Sequence, residues 1–297
     1  MPGVVTGLNM AGHAFVQPGE GVITHPPVYG PFLDMPRNVG GLQQEMELTR
    51  NPDGSYCIDW DAFENTITVQ SRMFLLCSPH NPVGRVWTRP ELERIAEICA
   101  RHDLLICSDD IHCDLLYSDQ AHIPIASLDK EVSQRTITLM APSKTFNIAG
   151  LSSSFAIIQD PQLRKKFIKA EKGLVHGVNL LGLVAARAAY QEGQEWLDQL
   201  LVYLQGNRDL LHAFVAQQMP GVRMALPQGT YLAWLDCREA GVNENLGDFF
   251  REKARVAVSN GIGFGKGGAG FIRLNFGCPR PMLVEALQRM KTALDAR

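Results

Sequence analysis

A chain of 297 residues that is 45% hydrophobic and 20% charged is long enough to bury two cores. With 28 Lys and Arg against 31 Asp and Glu, its net charge of -3 supplies no general cationic field for nucleic acid and no acidic tail. No apolar stretch nears the roughly 20 residues that span a bilayer, and Met1-Pro2-Gly3-Val4-Val5 lacks the basic head and apolar run of a secretion signal, so a cytoplasmic protein with neither nucleic-acid nor membrane partner is expected.

In chain order, short apolar runs at Gly21–Thr24, Met73–Cys77, Leu104–Ser108, Thr136–Met140 and Ser154–Ile158 read as strands. Stretches of helical period separate several of them, and this alternation predicts an α/β sheet, largely parallel. The clearest helix opens at Thr88-Arg89-Pro90-Glu91, where Thr88 can cap and Pro90 fits the first turn. It carries Leu92, Ile95, Ala96 and Cys99 on one face and ends near His102. Further amphipathic stretches cover Pro161–Lys172, Leu180–Gln191 and Trp196–Gln218. The pattern then changes to strands at Val222–Leu226, Thr230–Asp236, Val256–Ser259 and Phe271–Phe276, closed by a helix over Pro281–Ala296. This shift predicts a large domain over residues 1–195 and a smaller α+β domain over residues 196–297. The seven cysteines are odd in number, form no C-x-x-C pair and mostly lie in apolar runs such as Phe74-Leu75-Leu76-Cys77, which predicts reduced core residues.

Three segments at strand ends carry the candidate chemistry. Ala141-Pro142-Ser143-Lys144-Thr145-Phe146-Asn147-Ile148-Ala149-Gly150-Leu151 follows the run Thr136–Met140, and a lysine just past a buried strand lies where open α/β sheets place their ligands. Alone, a Ser-Lys pair reads as a solvated loop. Cys77-Ser78-Pro79-His80-Asn81-Pro82-Val83-Gly84 follows a second strand, and Ser108-Asp109-Asp110-Ile111-His112 a third. Asn-Pro near a glycine is by itself a turn signal, and a carboxylate after an apolar run can be a helix cap. In combination they bring Asn81, Asp109 and Lys144 to one rim of the sheet.

Other chemistries find little support. Gly263-Phe264-Gly265-Lys266-Gly267-Gly268 fits G-x-G-x-x-G in form, but a strand follows it and no Lys-Ser or Lys-Thr pair does, so a mobile loop over the site entrance is expected. The eight histidines are scattered and His112-Cys113-Asp114 lacks the spacing of converging ligands, so no metal is predicted. No G-x-S-x-G elbow supports a Ser-His-Asp hydrolase.

Taken together, Pro-Pro-Val-Tyr-Gly-Pro-Phe, Asn-Pro-Val-Gly, Ser-Asp-Asp-Ile-His, Ser-Lys-Thr-Phe-Asn-Ile-Ala-Gly-Leu and Arg-Leu-Asn-Phe-Gly-Cys-Pro-Arg resemble, in order and over nearly the whole chain, the fold-type-I pyridoxal 5'-phosphate (PLP) enzymes. Among these the chain is similar to the MalY/PatB-type cystathionine β-lyases (C-S lyases) of the class I/II aminotransferase group. The resemblance implies a PLP-dependent transferase fold of the aspartate-aminotransferase type: a mostly parallel central sheet with helices on both faces, plus a smaller C-terminal α+β domain. It implies that Lys144 holds PLP as an imine and, once displaced by substrate, moves the Cα proton. Asp109 would face the pyridine nitrogen, and Asn81 would donate to the ring's phenolic oxygen. His112 occupies a place near that oxygen where many relatives carry tyrosine, and Tyr29 would stack on the ring; the competing readings are a helix-surface or core position for His112 and a core position for Tyr29.

For the phosphate, Gly3-Val4-Val5-Thr6 resembles the family's cradling turn, with backbone N–H groups at Val4 and Val5 meeting the anion; Ser143 either adds a hydroxyl or serves only the local turn. Many aminotransferases carry an arginine eight residues after the lysine; here Ser152 stands there, which leaves the phosphate with fewer cationic partners. Arg273 matches the arginine that grips the substrate α-carboxylate through a two-pronged pair, although alone it would read as a surface strand residue. Gln228–Asp236 resembles the segment entering the small domain beside the site, with most of its aromatics expected in the core.

The resemblance also implies a homodimer acting on a small amino-acid substrate. Relatives run about a quarter longer at the N-terminus, and that part supplies a tyrosine reaching into the neighbouring subunit's site; this chain opens almost directly on the phosphate turn. Three activities follow. The first is a PLP-dependent carbon–sulfur β-lyase cleaving cystathionine or related cysteine thioethers to thiol, pyruvate and ammonia. The second is an aminotransferase using the same residues, and the third is a non-catalytic PLP-binding regulatory protein with a protein partner. Cofactor motifs do not separate elimination from transamination; the family resemblance favours the first.

Overall fold

The structure, a computed structural model, describes residues 1–117, 120–173 and 175–297. Helix α1 (Val4–Phe15) leads into β1 (Gly21–Thr24), α2 (Gly30–Asn38), β2 (Leu42–Glu45), a ribbon of β3 (Thr49–Arg50) and β4 (Tyr56–Cys57), α3 (Trp60–Thr66) and β5 (Ser71–Cys77). Then come α4 (Arg89–Arg101), β6 (Leu105–Asp109), α5 (Lys130–Gln134), β7 (Thr136–Met140), β8 (Phe155–Ile158), α6 (Pro161–Glu171), α7 (Leu180–Glu192) and α8 (Gln194–Gln218). The chain closes with β9 (Arg223–Met224), β10 (Leu232–Asp236), α9 (Leu246–Phe249), β11 (Ser259–Asn260), β12 (Phe271–Asn275) and α10 (Arg280–Asp295).

Six strands form one sheet in the order β2-β1-β5-β6-β7-β8, parallel except for β8, which pairs antiparallel at the edge. The inner strands are apolar on both sides because both sides are covered. Met73, Leu75, Cys77, Cys107, Ile137 and Leu139 point toward Leu8 and Ala11 of α1 and Phe32 of α2. Their neighbours Phe74, Leu76 and Ile106 point the other way, onto Leu92, Ile95 and Cys99 of α4. Period-2 alternation thus sorts one continuous apolar run into two cores. Helix α4 starts with the capping box that Thr88 and Glu91 imply, each closing the other's unpaired backbone donor, an arrangement that contributes about 1 kcal/mol. It stops at His102, as expected.

A second sheet, β11-β12-β10-β9, is antiparallel throughout. Its inner residues Ala233, Leu235, Ile272 and Leu274 pack with Leu204, Leu211 and Val215 of α8 and Leu283, Leu287 and Met290 of α10. The strand runs expected over Val222–Leu226 and Val256–Ser259 shrink to Arg223–Met224 and Ser259–Asn260, because each pairs over only two residues at a sheet edge. Two elements carry no period that names them. Helix α2 contains Pro31 and Pro36, the first harmless in an opening turn, and β2 is Leu-Gln-Gln-Glu, an edge strand with little buried surface. No helix among the described residues is long and apolar enough to cross a membrane.

Candidate active site

Parallel strands leave their carboxyl ends on one rim, so the residues that follow β5, β6 and β7 meet there. Asp109 is the last residue of β6; Asn81 and Lys144 each stand four residues beyond the ends of β5 and β7. All three line a single cavity of about 390 Å³, together with Tyr29, His112, Ser143, Arg273, Val4 and Val5. The structure therefore brings every residue singled out from the sequence to one place. A volume of this size suits a small ligand enclosed by mixed apolar and polar walls.

The lysine loop is held from below. Its turn closes through Phe146 N–H donating to the Pro142 carbonyl at 2.9 Å and Ile148 N–H to that of Ser143 at 3.1 Å. Buried Thr145 donates its hydroxyl to Asp114 Oδ2 at 2.8 Å, tying the loop to the segment that follows Asp109. Asp109 itself accepts from the Ile111 N–H at 3.1 Å. Burial raises its carboxyl to about 7, opposed by that N–H; neighbouring Asp110 pushes the same way as burial, and Lys144 opposes. Asp110 is occupied elsewhere, accepting from Ser108 and from His122 Nε2 at 2.8 Å. An acid kept partly protonated at neutral pH, with a cation close by, is set to share a proton with a ligand nitrogen.

Arg273 reaches the cavity from β12. It donates through Nη1 to Asn81 Oδ1 at 2.9 Å and through Nη2 to Ser259 Oγ at 3.2 Å, and its guanidinium lies 4.9 Å from the Phe264 ring centre. Because a guanidinium only donates, the contact fixes the Asn81 amide with its oxygen toward Arg273 and its NH₂ free to donate elsewhere. Tyr29 is joined to the same loop, its N–H donating to the Asn81 carbonyl at 3.1 Å. Under both loops lies His80, whose Nε2 is 2.8 Å from the Pro27 carbonyl. His112 is buried with an unpartnered Nδ1; burial first, then Lys144 and Arg273, hold its imidazole down to about 3, so it is neutral at physiological pH.

The far side of the cavity is built differently. Gly3, at φ 120, precedes α1 and offers no side-chain cap, and the helix has no acidic residue in its first turn. Its own N–H donates to Ser154 Oγ at 2.9 Å, which fixes the turn. The N–H groups of Val4, Val5 and Thr6 are left without intrahelical acceptors at the positive end of a 12-residue helix. Thr6, Ser143, Ser152 and Ser153 line the same region. Ser152, where many aminotransferases carry arginine, adopts a left-handed conformation at φ 48. Unsatisfied N–H groups ringed by hydroxyls match a phosphate, and the protonatable acid across the cavity matches a pyridine nitrogen. The residues present thus fit PLP.

Some lining residues carry no clear mark in the sequence. Thr6, Ser153 and Asn275 are ordinary polar residues there, and Tyr231 sits among aromatics expected in the core. Trp234 keeps that expectation, stacked on Phe271 at 5.1 Å. Tyr231 departs from it, lining the cavity edge-on to His112 with ring centres 6.0 Å apart. Alternation gives no signal for it, since position 231 shares a face with the inner residues Ala233 and Leu235 and its ring packs partly against the same core. The glycine loop differs from expectation too. It is packed rather than free: the Phe264 carbonyl accepts from the Val28 N–H at 2.9 Å, and a Cβ on Gly268 would stand 2.0 Å from the Gly261 carbonyl oxygen. Gly268 serves close backbone packing, and none of the loop's four glycines lines the cavity.

Comparison with known proteins gives one consistent answer. Residues 1–290 match the family model described as aminotransferase class I and II. The cystathionine beta-lyase PatB of Bacillus subtilis is 40% identical over 99% of this chain and 76% of its own length. The protein MalY of Escherichia coli is 36% identical over 94% of this chain and 71% of its own. Among solved structures, cystalysin from Treponema denticola, which contains a pyridoxal 5'-phosphate cofactor, superposes with a TM-score of 0.96 at 36% identity, over 99% of this chain and 76% of that one.

Proposed function

We propose, from the premise that the chain belongs to the class I and II aminotransferase family, that it is a PLP-dependent carbon–sulfur β-lyase cleaving cystathionine or related cysteine thioethers to thiol, pyruvate and ammonia. The observation that carries the reading is the convergence of Lys144, Asp109, Asn81 and Arg273 on one cavity whose opposite wall is an uncapped helix start. When bound, PLP supplies an electron sink for the pair left behind as a Cα proton departs.

The chain's own residues do the rest. Arg273 seats the substrate α-carboxylate in a two-pronged pair, and its tie to Asn81 holds the guanidinium plane in place. Lys144 Nζ takes the proton from Cα, after which the sulfur leaves Cβ as a thiolate. Asp109 would keep the ring nitrogen protonated, Asn81 would donate to the phenolic oxygen, and Tyr29 and neutral His112 would flank the ring. The N–H groups of Val4 and Val5, with Ser143, would hold the phosphate. The test is direct. Wild-type protein loaded with PLP is expected to show an absorbance band near the visible edge that Lys144→Ala abolishes, and to release pyruvate from cystathionine. Amino transfer to a keto acid without pyruvate would establish the aminotransferase reading, and a band without either reaction would establish a binding protein.

The division at about residue 195 belongs to the same reading, supported by the change from the parallel to the antiparallel sheet. So does a homodimer. Helix α7 is Leu-Leu-Gly-Leu-Val-Ala-Ala over its first turns, yet Leu180 is 74% and Leu181 71% exposed, and Gly182 is its only buried residue. An apolar helix face of this kind marks an association surface, and a second copy is the occupant the family fold calls for. Leu181→Asp combined with Val184→Asp is expected to convert a dimer to a monomer by sedimentation; an unchanged mass would place the contact elsewhere. The unpaired cysteines support a cytoplasmic location.

A further inference from the structure

We propose that His80, which does not itself line the cavity, is a positioning residue: its Nε2–H, donated to the Pro27 carbonyl, locks the Tyr29 loop against the Asn81 loop and thereby sets where Asn81 and Arg273 stand. The functional consequence rests on the PLP reading of the site. The tautomer follows from the partner, since a carbonyl only accepts and Nε2 must therefore carry the proton. Burial holds the imidazole down to about 4, opposed by the bond to the Pro27 carbonyl, so the donor is a neutral ring at physiological pH. The contacts involved all lie within one copy of the chain, and the ring is fully buried. A second subunit has no surface of it to meet.

The contacts around His80 form a closed circuit. Tyr29 N–H donates to the Asn81 carbonyl at 3.1 Å, and Val28 N–H to the Phe264 carbonyl at 2.9 Å. The Phe264 ring lies 4.9 Å from the Arg273 guanidinium, which returns to Asn81 Oδ1 at 2.9 Å. One hydrogen bond between two loops leaves them free to swivel about it. The His80 bond at 2.8 Å, two residues along from the Tyr29 bond, removes that freedom. The turn that carries His80 is itself anchored, its N–H donating to the Arg85 carbonyl and its carbonyl accepting from Gly84 N–H, each at 2.8 Å. Core filling alone does not account for an imidazole here. Its ring centre lies 4.6 Å from that of His25 and 5.7 Å from that of Trp87, contacts a phenylalanine would make as well. Its buried Nδ1 has no partner among the described residues, a desolvation cost that a carbon ring avoids. What the imidazole adds is the Nε2 donor.

Two substitutions separate positioning from packing. His80→Phe keeps the ring and loses the donor, whereas His80→Gln loses the ring and keeps an N–H donor of similar reach. In the full-length, PLP-loaded protein, His80→Phe is expected to raise KM for cystathionine by on the order of tenfold with kcat within about threefold, because Arg273 grips the carboxylate before and during the reaction. The pH midpoint of the absorbance band should rise by about one pH unit, since a donor to the phenolic oxygen favours its ionised form. His80→Gln should recover most of both. In the cofactor-free protein the Tyr29 amide should exchange its hydrogen on the order of tenfold faster in His80→Phe than in wild type, and near the wild-type rate in His80→Gln. The reverse order, with His80→Phe like wild type and His80→Gln impaired, shows packing and overturns the proposal. If the wild type forms no band, the PLP reading falls and takes the functional consequence with it. If a band forms and His80→Phe leaves both its titration and KM unchanged, this proposal falls alone.

Discussion

The two sides of the cavity solve two recognition problems in opposite ways. On one side, the proposed chemistry is concentrated in single side chains: Asp109, Lys144, Asn81 and Arg273 would each have one task and no understudy. On the other, the proposed work would be spread over the N–H groups of Val4, Val5 and Thr6 and the hydroxyls of Ser143, Ser152 and Ser153. A proton relay needs a group of definite acidity at a definite place, whereas an anion is satisfied by any sufficient number of donors. Substitutions on the first side should therefore be severe and qualitative, and those on the second graded.

Asp109→Asn is the strongest way to break the comparison. It should lower kcat/KM by on the order of 1000-fold, because the amide cannot hold a proton on the ring nitrogen. The cofactor-free protein should respond in the opposite sense. Below the ordinary carboxylate value of 3.8 the group is protonated whether folded or not, and above about 7 it is ionised in both. Between those limits only the unfolded chain has lost the proton, so wild-type stability falls as pH rises through that window. Removing the carboxyl deletes the loss. The apo variant should then be more stable than apo wild type at pH 8 by up to about 4 kcal/mol, with the gap closing toward pH 4. Parallel denaturant titrations at the two pH values measure it. A variant equally active, or no more stable at pH 8, would remove Asp109 from the role assigned to it.

The same contrast explains what the sequence made legible. Lys144, Asp109 and Asn81 stand out because each follows an apolar run that the two-sided sheet requires, so position and residue type reinforce each other. Arg273 is legible only through its motif, since period-2 alternation places it on a face without saying what that face meets. Tyr231 and Thr6 escape notice because an aromatic beside Leu232 and a threonine in an opening helical turn have ordinary explanations. Backbone donors leave no trace in residue identity at all. Helix α2 and strand β2 are missed for a related reason: Pro36 contradicts helical propensity, and an edge strand of Gln and Glu lacks the apolar alternation that marks a buried one.

The smallest effect belongs to the distributed side and is the most discriminating. Ser152 is exposed and already left-handed at φ 48, so an arginine there meets the same modest backbone cost that serine does. Ser152→Arg should tighten PLP about tenfold at about 50 mM salt by giving the phosphate a charged partner. Much of that gain should vanish by about 500 mM, because an exposed ion pair is screened while short N–H and hydroxyl contacts are not. Wild-type affinity, resting on dipoles, should move less than about threefold over the same range. Equilibrium titration of the apo protein followed by the absorbance band gives all four constants. If the wild-type constant instead weakens tenfold or more with salt, a cation already holds the phosphate, and the two sides of the cavity are built on the same principle after all.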